Sequence, residues 1–195
     1  MISYCINLDR RQDKWHYVQN EFKRVGIHNV IRFSAVDTKP GWVGCRKSQL
    51  KIMELCRGEN EFCIFEDDVK FIGYWGGLIM GCQQLPSDWD CLYLGASPRE
   101  PQEQYSSSLF RLKNAVCAHA IIWHNRTNGA VEYILSHSHH IRKIDDFYAT
   151  VIQPNFNCFI VWPIICTQTQ FKSDTCTRSD VSTIEKQYNK FINVQ

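Results

Sequence analysis

Three consecutive carboxylates, Glu66-Asp67-Asp68, follow directly on the apolar run Phe62-Cys63-Ile64-Phe65. Side by side at a strand end they repel: at about 5–6 Å and an effective dielectric near 20, each pair costs roughly 3 kcal/mol. A divalent cation removes that cost. Oxygen-only ligands suit Mg²⁺ or Mn²⁺, which also grip phosphate oxygens. The carboxyl end of a central strand is where open α/β sheets place their sites. The plainer alternative is that Asp67 or Asp68 caps a following helix while Glu66 faces water. A second acidic pair, Asp145-Asp146, precedes Phe147-Tyr148. Either carboxylate serves as a general base if it faces the trio across a cleft, and Asp145 serves as a helix cap if it does not.

Two further groups carry weaker chemistry. Cys45, Ile52 and Cys56 mark one face of a helix running from Gly44 to about Cys56, and Ser48 and Gln49 fall on that face. Polar groups on a buried stripe need partners. A phosphate or ribose at the helix start supplies them, and so does an internal hydrogen-bond pair. His137 and His140, with His139 beside them, have a spacing that can bind zinc. Histidines near a helix C-terminus are more often solvated and favoured by the helix dipole. No C-x-x-C pair stands among the ten cysteines, so a zinc ribbon has no ligands.

The elements that must hold these residues alternate short apolar runs with helical periodicity, the pattern of an α/β domain. Ile2 to Leu8 reads as a buried first strand. Trp15, Val18, Phe22 and Val25 recur at helical spacing, and Gly26 closes that helix. Val30–Ser34 reads as a second strand, Phe62–Phe65 and Cys91–Leu94 as central strands apolar on both faces. Gly73 to Gly81 is too glycine-rich to assign. Leu109–Leu112, Val116–Trp123 and Cys158–Trp162 read as strands. Thr127 is placed to cap a helix running towards Ser136, and a short helix fits Asp145–Val151. Residues 1–176 form the expected domain, with 177–195 a tail or a linker to a further domain.

The chain has 195 residues, with 22 Lys+Arg against 20 Asp+Glu for a net charge of +2. Apolar residues at 44% and aromatics at 13% exclude intrinsic disorder. Near-neutral charge argues against a nucleic-acid partner, which selects for a basic face. No apolar run approaches the roughly 20 residues that span a bilayer, so no transmembrane segment is expected. Met1 leads into Ile2-Ser3-Tyr4-Cys5-Ile6 without a basic stretch or cleavage site, so no signal peptide is expected. Cys5, Cys63, Cys91 and Cys158 lie inside apolar strand-like runs, where a thiol acts as a small hydrophobe. Reduced thiols and a cytoplasmic setting follow as the expectation, with the sequon Asn125-Arg126-Thr127 incidental.

In order along the chain, several segments resemble glycosyltransferase family 25, the group of lipooligosaccharide and collagen galactosyltransferases. Ile6-Asn7-Leu8-Asp9-Arg10-Arg11 with Asp13 is similar to its opening "INLDRR-x-DR", and Ala35-Val36-Asp37 follows in place. Gly44-Cys45-Arg46-Lys47-Ser48-Gln49-Leu50 resembles its "GCxxSHL", with Gln49 where the family has His. Phe65-Glu66-Asp67-Asp68-Val69 resembles the "LEDDV" metal motif, and Trp89 to Gly95 the "WDxxYLG" strand. Lys143-Ile144-Asp145 resembles "PxD" without its proline, and Gln168 through Ser173-Asp174 the closing "Q…SD".

The resemblance implies a GT-A type fold, a Rossmann-like α/β sandwich on a mixed, mostly parallel sheet. It implies a nucleotide-sugar donor, UDP-linked by family precedent, and Mn²⁺ or Mg²⁺ on its diphosphate. The acceptor is then a hydroxyl of a glycan or glycoprotein, attacked with inversion after Asp145, or alternatively Asp146, removes its proton. Asp68 ligates the metal, Glu66 and Asp67 contact metal, metal waters or ribose, Ser48 and Gln49 contact the donor, and Asn7, Leu8, Arg11 and Asp37 frame the nucleobase. Two other readings use the same residues. One is a metal-dependent nucleotidyltransferase or nucleotide-sugar hydrolase; the other is a non-catalytic carbohydrate-binding module on the same frame.

Overall fold

A computed structural model describes residues 1–73, 75–138 and 143–175. The expected tail at 177–195, and His139 and His140 of the histidine group, lie outside the described residues. The chain opens with β1 (Ile2–Asn7), α1 (Gln12–Val25) and β2 (Val30–Ser34). Gly26 ends α1 at φ 74°, and the following Ile27 amide returns to the Phe22 carbonyl at 2.9 Å. Then come α2 (Gly41–Leu55), β3 (Glu61–Glu66), β4 (Val69–Phe71), α3 (Trp75–Gln84) and β5 (Cys91–Tyr93). Short strands β6 (Ser97–Pro98), β7 (Glu103–Gln104), β8 (Leu109–Arg111) and β9 (Ala115–Val116) lead to β10 (Ala120–His124). The remainder is α4 (Asn125–His137), α5 (Ile144–Phe147), a π-helical turn (Tyr148–Ile152), α6 (Gln153–Asn155), β11 (Cys158–Val161) and β12 (Cys166–Gln168).

Eight strands make the central sheet in the order β2-β1-β3-β10-β5-β11-β8-β7. β2, β1 and β3 are parallel; β10 runs against β3 and β5, and β5 is parallel to β11. β8 opposes both β11 and β7, so only β10 and β8 run against the common direction. Two small ribbons, β4–β12 and β6–β9, stand outside the sheet.

Side chains alternate between the sheet's faces, as strand geometry requires. Phe62 and Ile64 join Ile52, Met53, Val131, Leu135 and Tyr148 on one side. Cys63 and Phe65 join Val18, Phe22, Phe71 and Leu92 on the other. With α2 and α4 over one face and α1 over the other, the result is the three-layer α/β sandwich expected from sequence. The described cysteines are free thiols, and no described helix is long and apolar enough to cross a membrane.

Four local assignments are corrected. The glycine-rich segment is helical as α3, because Trp75, Leu78 and Gly81 give it a packing face. The strand expected over Val116–Trp123 is broken into β9 and β10 by Cys117, whose φ is 75°. α2 begins at Gly41 with Pro40 as its cap, rather than at Gly44. His124, not Thr127, caps α4: its Nδ1 accepts the Arg126 amide at 3.1 Å, while the Thr127 hydroxyl donates to the His124 carbonyl.

Candidate active site

β1 leads to β2 on one side of the sheet, while β3 lies on the other. The sheet therefore reverses its winding between β1 and β3, the switch point at which α/β folds open a crevice. Asn7 ends β1 and Glu66 ends β3, with Ile6 in register with Glu66. The acidic trio thus sits at the carboxyl end of the strands that flank this switch point.

Asp67 is the most firmly held of the three. Asn7 Nδ2 donates to one of its oxygens at 2.7 Å, and Lys14 Nζ donates to the other at 3.1 Å. Lys14, 5% exposed, also reaches Asp68 Oδ2 at 3.3 Å. The other Asp68 oxygen and Glu66 Oε2 share one donor, Gln168 Nε2, at 3.4 and 3.1 Å. Gln168 arrives through the β4–β12 ribbon, and the Thr169 amide fastens it by donating to the Asp68 carbonyl at 2.7 Å.

Asp145 is near this group: it accepts the Ala118 amide, the neighbouring His119 carbonyl accepts the Glu66 amide, and the charge of Asp145 raises the pKa of Glu66. Burial, followed by the charges of Asp68 and Asp145, holds Glu66 well above the usual carboxylate range. Burial pushes Asp145 up to about 6, although the Ala118 amide donates to its Oδ1 at 3.1 Å and pulls the other way. Asp146 instead faces Arg99 in an ion pair at 2.5 Å.

The segment between β9 and β10 serves both carboxylates. The left-handed turn at Cys117 presents the Ala118 amide to Asp145, and the His119 carbonyl accepts the Glu66 amide at 2.9 Å. The His119 imidazole is fully buried, and neither ring nitrogen has a hydrogen-bond partner. Burial lowers its pKa to about 4, against the opposing charge of Asp68 and the nearby Cys166 carbonyl, which approaches without hydrogen-bond geometry.

Several residues expected to touch a ligand are instead spent within the protein. Asn7 is 1% exposed; its amide donates to Asp67 and to the Arg11 carbonyl, and its oxygen accepts from Arg32. Ser48 is fully buried, accepts the Val36 amide at 2.9 Å and donates to the Gly44 carbonyl at 2.8 Å. The internal-pair alternative therefore holds for Ser48. Gln49, 1% exposed, accepts the Tyr148 hydroxyl at 3.4 Å. Asp67, with both oxygens engaged, is a structural anchor. Arg11 pairs with Asp13 and Asp174, and Asp37 pairs with Arg10 at 3.0 Å. Leu8 forms the turn after β1, its carbonyl accepting the Arg11 amide at 2.8 Å.

Lys14, Gln168 and His119 are site residues that local sequence patterns do not mark. Lys14 lies on an amphipathic helix where a lysine reads as surface, and Gln168 is 102 residues from Glu66. The only sequence signal for Gln168 is its place in the closing segment of the family resemblance.

The residues suit a hard divalent cation in one particular way. Asp67 and Asp68 share one ammonium, Lys14, whose charge also reaches Glu66, while Asp68 and Asp145 both repel Glu66; such crowding of buried negative charge is relieved by protonation or by a cation. Among the described residues, no three acidic, His or Cys side chains converge into a cage of their own. Mg²⁺-type sites are commonly built from one or two carboxylates with substrate phosphates and water completing the shell. Asp68 and Glu66, bridged by Gln168, fit that form.

No family profile and no curated protein matches the chain. Among solved structures, the chain is similar to a glycosyltransferase involved in glycosylation of the major capsid of PBCV-1 (TM-score 0.55, 7% identity, 82% of this chain and 80% of that one). It also aligns with A197 from STIV (TM-score 0.47, 7% identity, 88% and 87% covered) and with mannose-1-phosphate geranyltransferase from Thermus thermophilus (TM-score 0.43, 10% identity, 81% and 58% covered). On the first of these likenesses, the chain has a glycosyltransferase-type fold, a Rossmann-like α/β sandwich compatible with the GT-A class.

Proposed function

We propose that the chain is a metal-dependent glycosyltransferase that moves a hexose from a nucleotide-sugar, in the first instance a UDP-sugar, to a hydroxyl of a glycan or glycoprotein, with inversion. The observation that supports the proposal is the nearness of Asp145 to Glu66, linked through the Ala118–His119 segment, at the switch point of a glycosyltransferase-type sheet.

When bound, Mn²⁺ or Mg²⁺ supplies neutralisation of the charge that develops on the departing nucleoside diphosphate. Asp68, with Glu66 beside it, is the protein's contribution to holding that ion. Asp145 accepts the proton of the acceptor hydroxyl as it attacks the anomeric carbon. Its Oδ1 is fixed by the Ala118 amide, Oδ2 has no hydrogen bond among the described residues, and a pKa of about 6 suits a base working near neutrality. Asp146, held by Arg99, is the less suited of the pair. Leu8 and Arg11, before α1, and Asp37, after β2, are assigned to the nucleobase end of the donor, and Gln49, which accepts the Tyr148 hydroxyl, to the support of the donor site from within.

Calorimetric titration of UDP in the presence of Mn²⁺, then in EDTA, tests the reading. Binding that depends on the metal is expected, and Asp68→Ala should lose it together with transfer while remaining folded. No binding of UDP under either condition sinks the proposal, and glycan arrays would then test the chain as a carbohydrate-binding module.

A further inference from the structure

Lys14 does something that a metal-binding carboxylate pair does not require. Its ammonium is almost fully buried between Asp67 and Asp68, at 3.1 and 3.3 Å. It thereby occupies Asp68 Oδ2, an oxygen that a cation held by this carboxylate competes for, while Oδ1 accepts from Gln168. Lys14 is also not bound to Asp68 alone. Asp67 is held in place by Asn7, Asp174 lies 3.9 Å from the ammonium, and the Phe171 ring lies 5.7 Å beneath it. If the ammonium left Asp68, it would keep three of its four neighbours.

His119 is fully buried near the group, its ring against the Cys166 carbonyl and the Gly95 backbone, and the charge of Asp68 reaches it.

We propose that Lys14 is the resident counter-ion of Asp68, and that a divalent cation reaches that carboxylate only together with the donor's diphosphate. The inference rests on the nucleotide-sugar reading above. A free cation must push the ammonium off Asp68 and then sit beside it, like charge against like. A diphosphate changes the balance. Its oxygens supply the ligands that the protein lacks and attract the displaced ammonium, which stays anchored on Asp67. Metal and donor then enter as one unit.

The test is Mn²⁺ binding, read by water-proton relaxation with and without UDP, after subtraction of UDP's own Mn²⁺ binding. The proteins are wild type, Lys14→Met, Lys14→Arg and Lys23→Gln. Wild type should bind Mn²⁺ about tenfold or more tightly when UDP is present. Lys14→Met should bind free Mn²⁺ about tenfold more tightly than wild type, with most of the UDP effect gone. Lys14→Arg should behave as wild type. Lys23→Gln removes an exposed charge of the same helix that does not touch the acidic group, and should stay within about twofold of wild type. Equal Mn²⁺ affinity in Lys14→Met and wild type, or an equal gain in Lys23→Gln, overturns the proposal. If Lys14→Met does not fold, wild type alone decides: free Mn²⁺ held as tightly without UDP as with it overturns the proposal. Failure of every protein to bind Mn²⁺, even with UDP, overturns the site reading along with it.

Discussion

On the proposed function Asp145 and Asp68 divide the chemistry, and each can be separated from stability. Asp145 has its pKa raised to about 6 by burial, so the fold favours its protonated form. The stability linked to that group is complete below the ordinary carboxylate range and is lost as pH rises through about 6. Asp145→Asn keeps the acceptor for the Ala118 amide and removes the charge. We expect it to melt higher than wild type above pH 6 and alike below pH 4, while transfer falls by about 100-fold or more at every pH. A variant that retains transfer would move the base elsewhere. The trio was legible in sequence because three carboxylates after an apolar strand are conspicuous. Which of them is free was not. Asn7, Ser48 and Asp67 have the types and spacing of ligand contacts, yet their polar atoms are consumed by partners within the protein, local ones for Ser48 and distant ones for Asn7 and Asp67. Asn7 and Asp67, for instance, are 60 residues apart. Pattern reveals which groups could react, whereas availability depends on what the fold brings against them.

The strands and helices that aim these groups were read well wherever burial alone sets them: β2 was read residue for residue, and β3 and β5 nearly so. They were read poorly where one unusual residue decides the geometry. Gly95, after β5, has the Cys166 carbonyl and the His119 ring against its backbone; a Cβ there would overlap the carbonyl oxygen and lie 2.8 Å from His119 Nε2. Gly95→Ala should therefore cost about 1–3 kcal/mol in denaturant unfolding. Gly44 meets the Val36 carbonyl in the same way, which gives the glycine of that motif a packing role rather than a helix-starting one. Cys117 shows the reverse case. A side chain stands where the backbone is left-handed, and no periodicity rule anticipates it. Cys117→Gly should be as stable as wild type or better by about 1 kcal/mol, while Cys117→Val should lose about 1–2 kcal/mol. If Cys117→Val also displaces the Ala118 amide from Asp145, its loss of activity will exceed its loss of stability.

Taken together, the layers make a sheet with its candidate site at the carboxyl ends of interior strands and most of its thiols in the core. Of the cysteines described as free, Cys82 is exposed, whereas Cys5, Cys63, Cys91, Cys158 and Cys166 are fully buried. A thiol reagent under native conditions should label Cys82 early and these five only on unfolding. Early labelling of all of them would contradict the packing. Ligand binding should register across the domain as well: UDP with Mn²⁺ at about 100 times its Kd should stabilise the fold by about 2.7 kcal/mol, lost in EDTA. The strand order and the two reversed strands lay beyond sequence reasoning, since an apolar run carries no record of its neighbour's direction.

The ribbon that carries Gln168 has a consequence for how the protein is made. Glu66 and Asp68 receive the Gln168 amide from 102 and 100 residues downstream, and Arg11 meets Asp174 across 163. During synthesis the sheet's first three strands and their acidic ends emerge long before either partner does. A ribosome-bound chain stopped after β11 would hold its carboxylates at the right strand ends without Gln168 or the Asp174 contact to Arg11. The centre is thus finished last, and a polypeptide cut short during translation should be incompetent for transfer even if its sheet has formed.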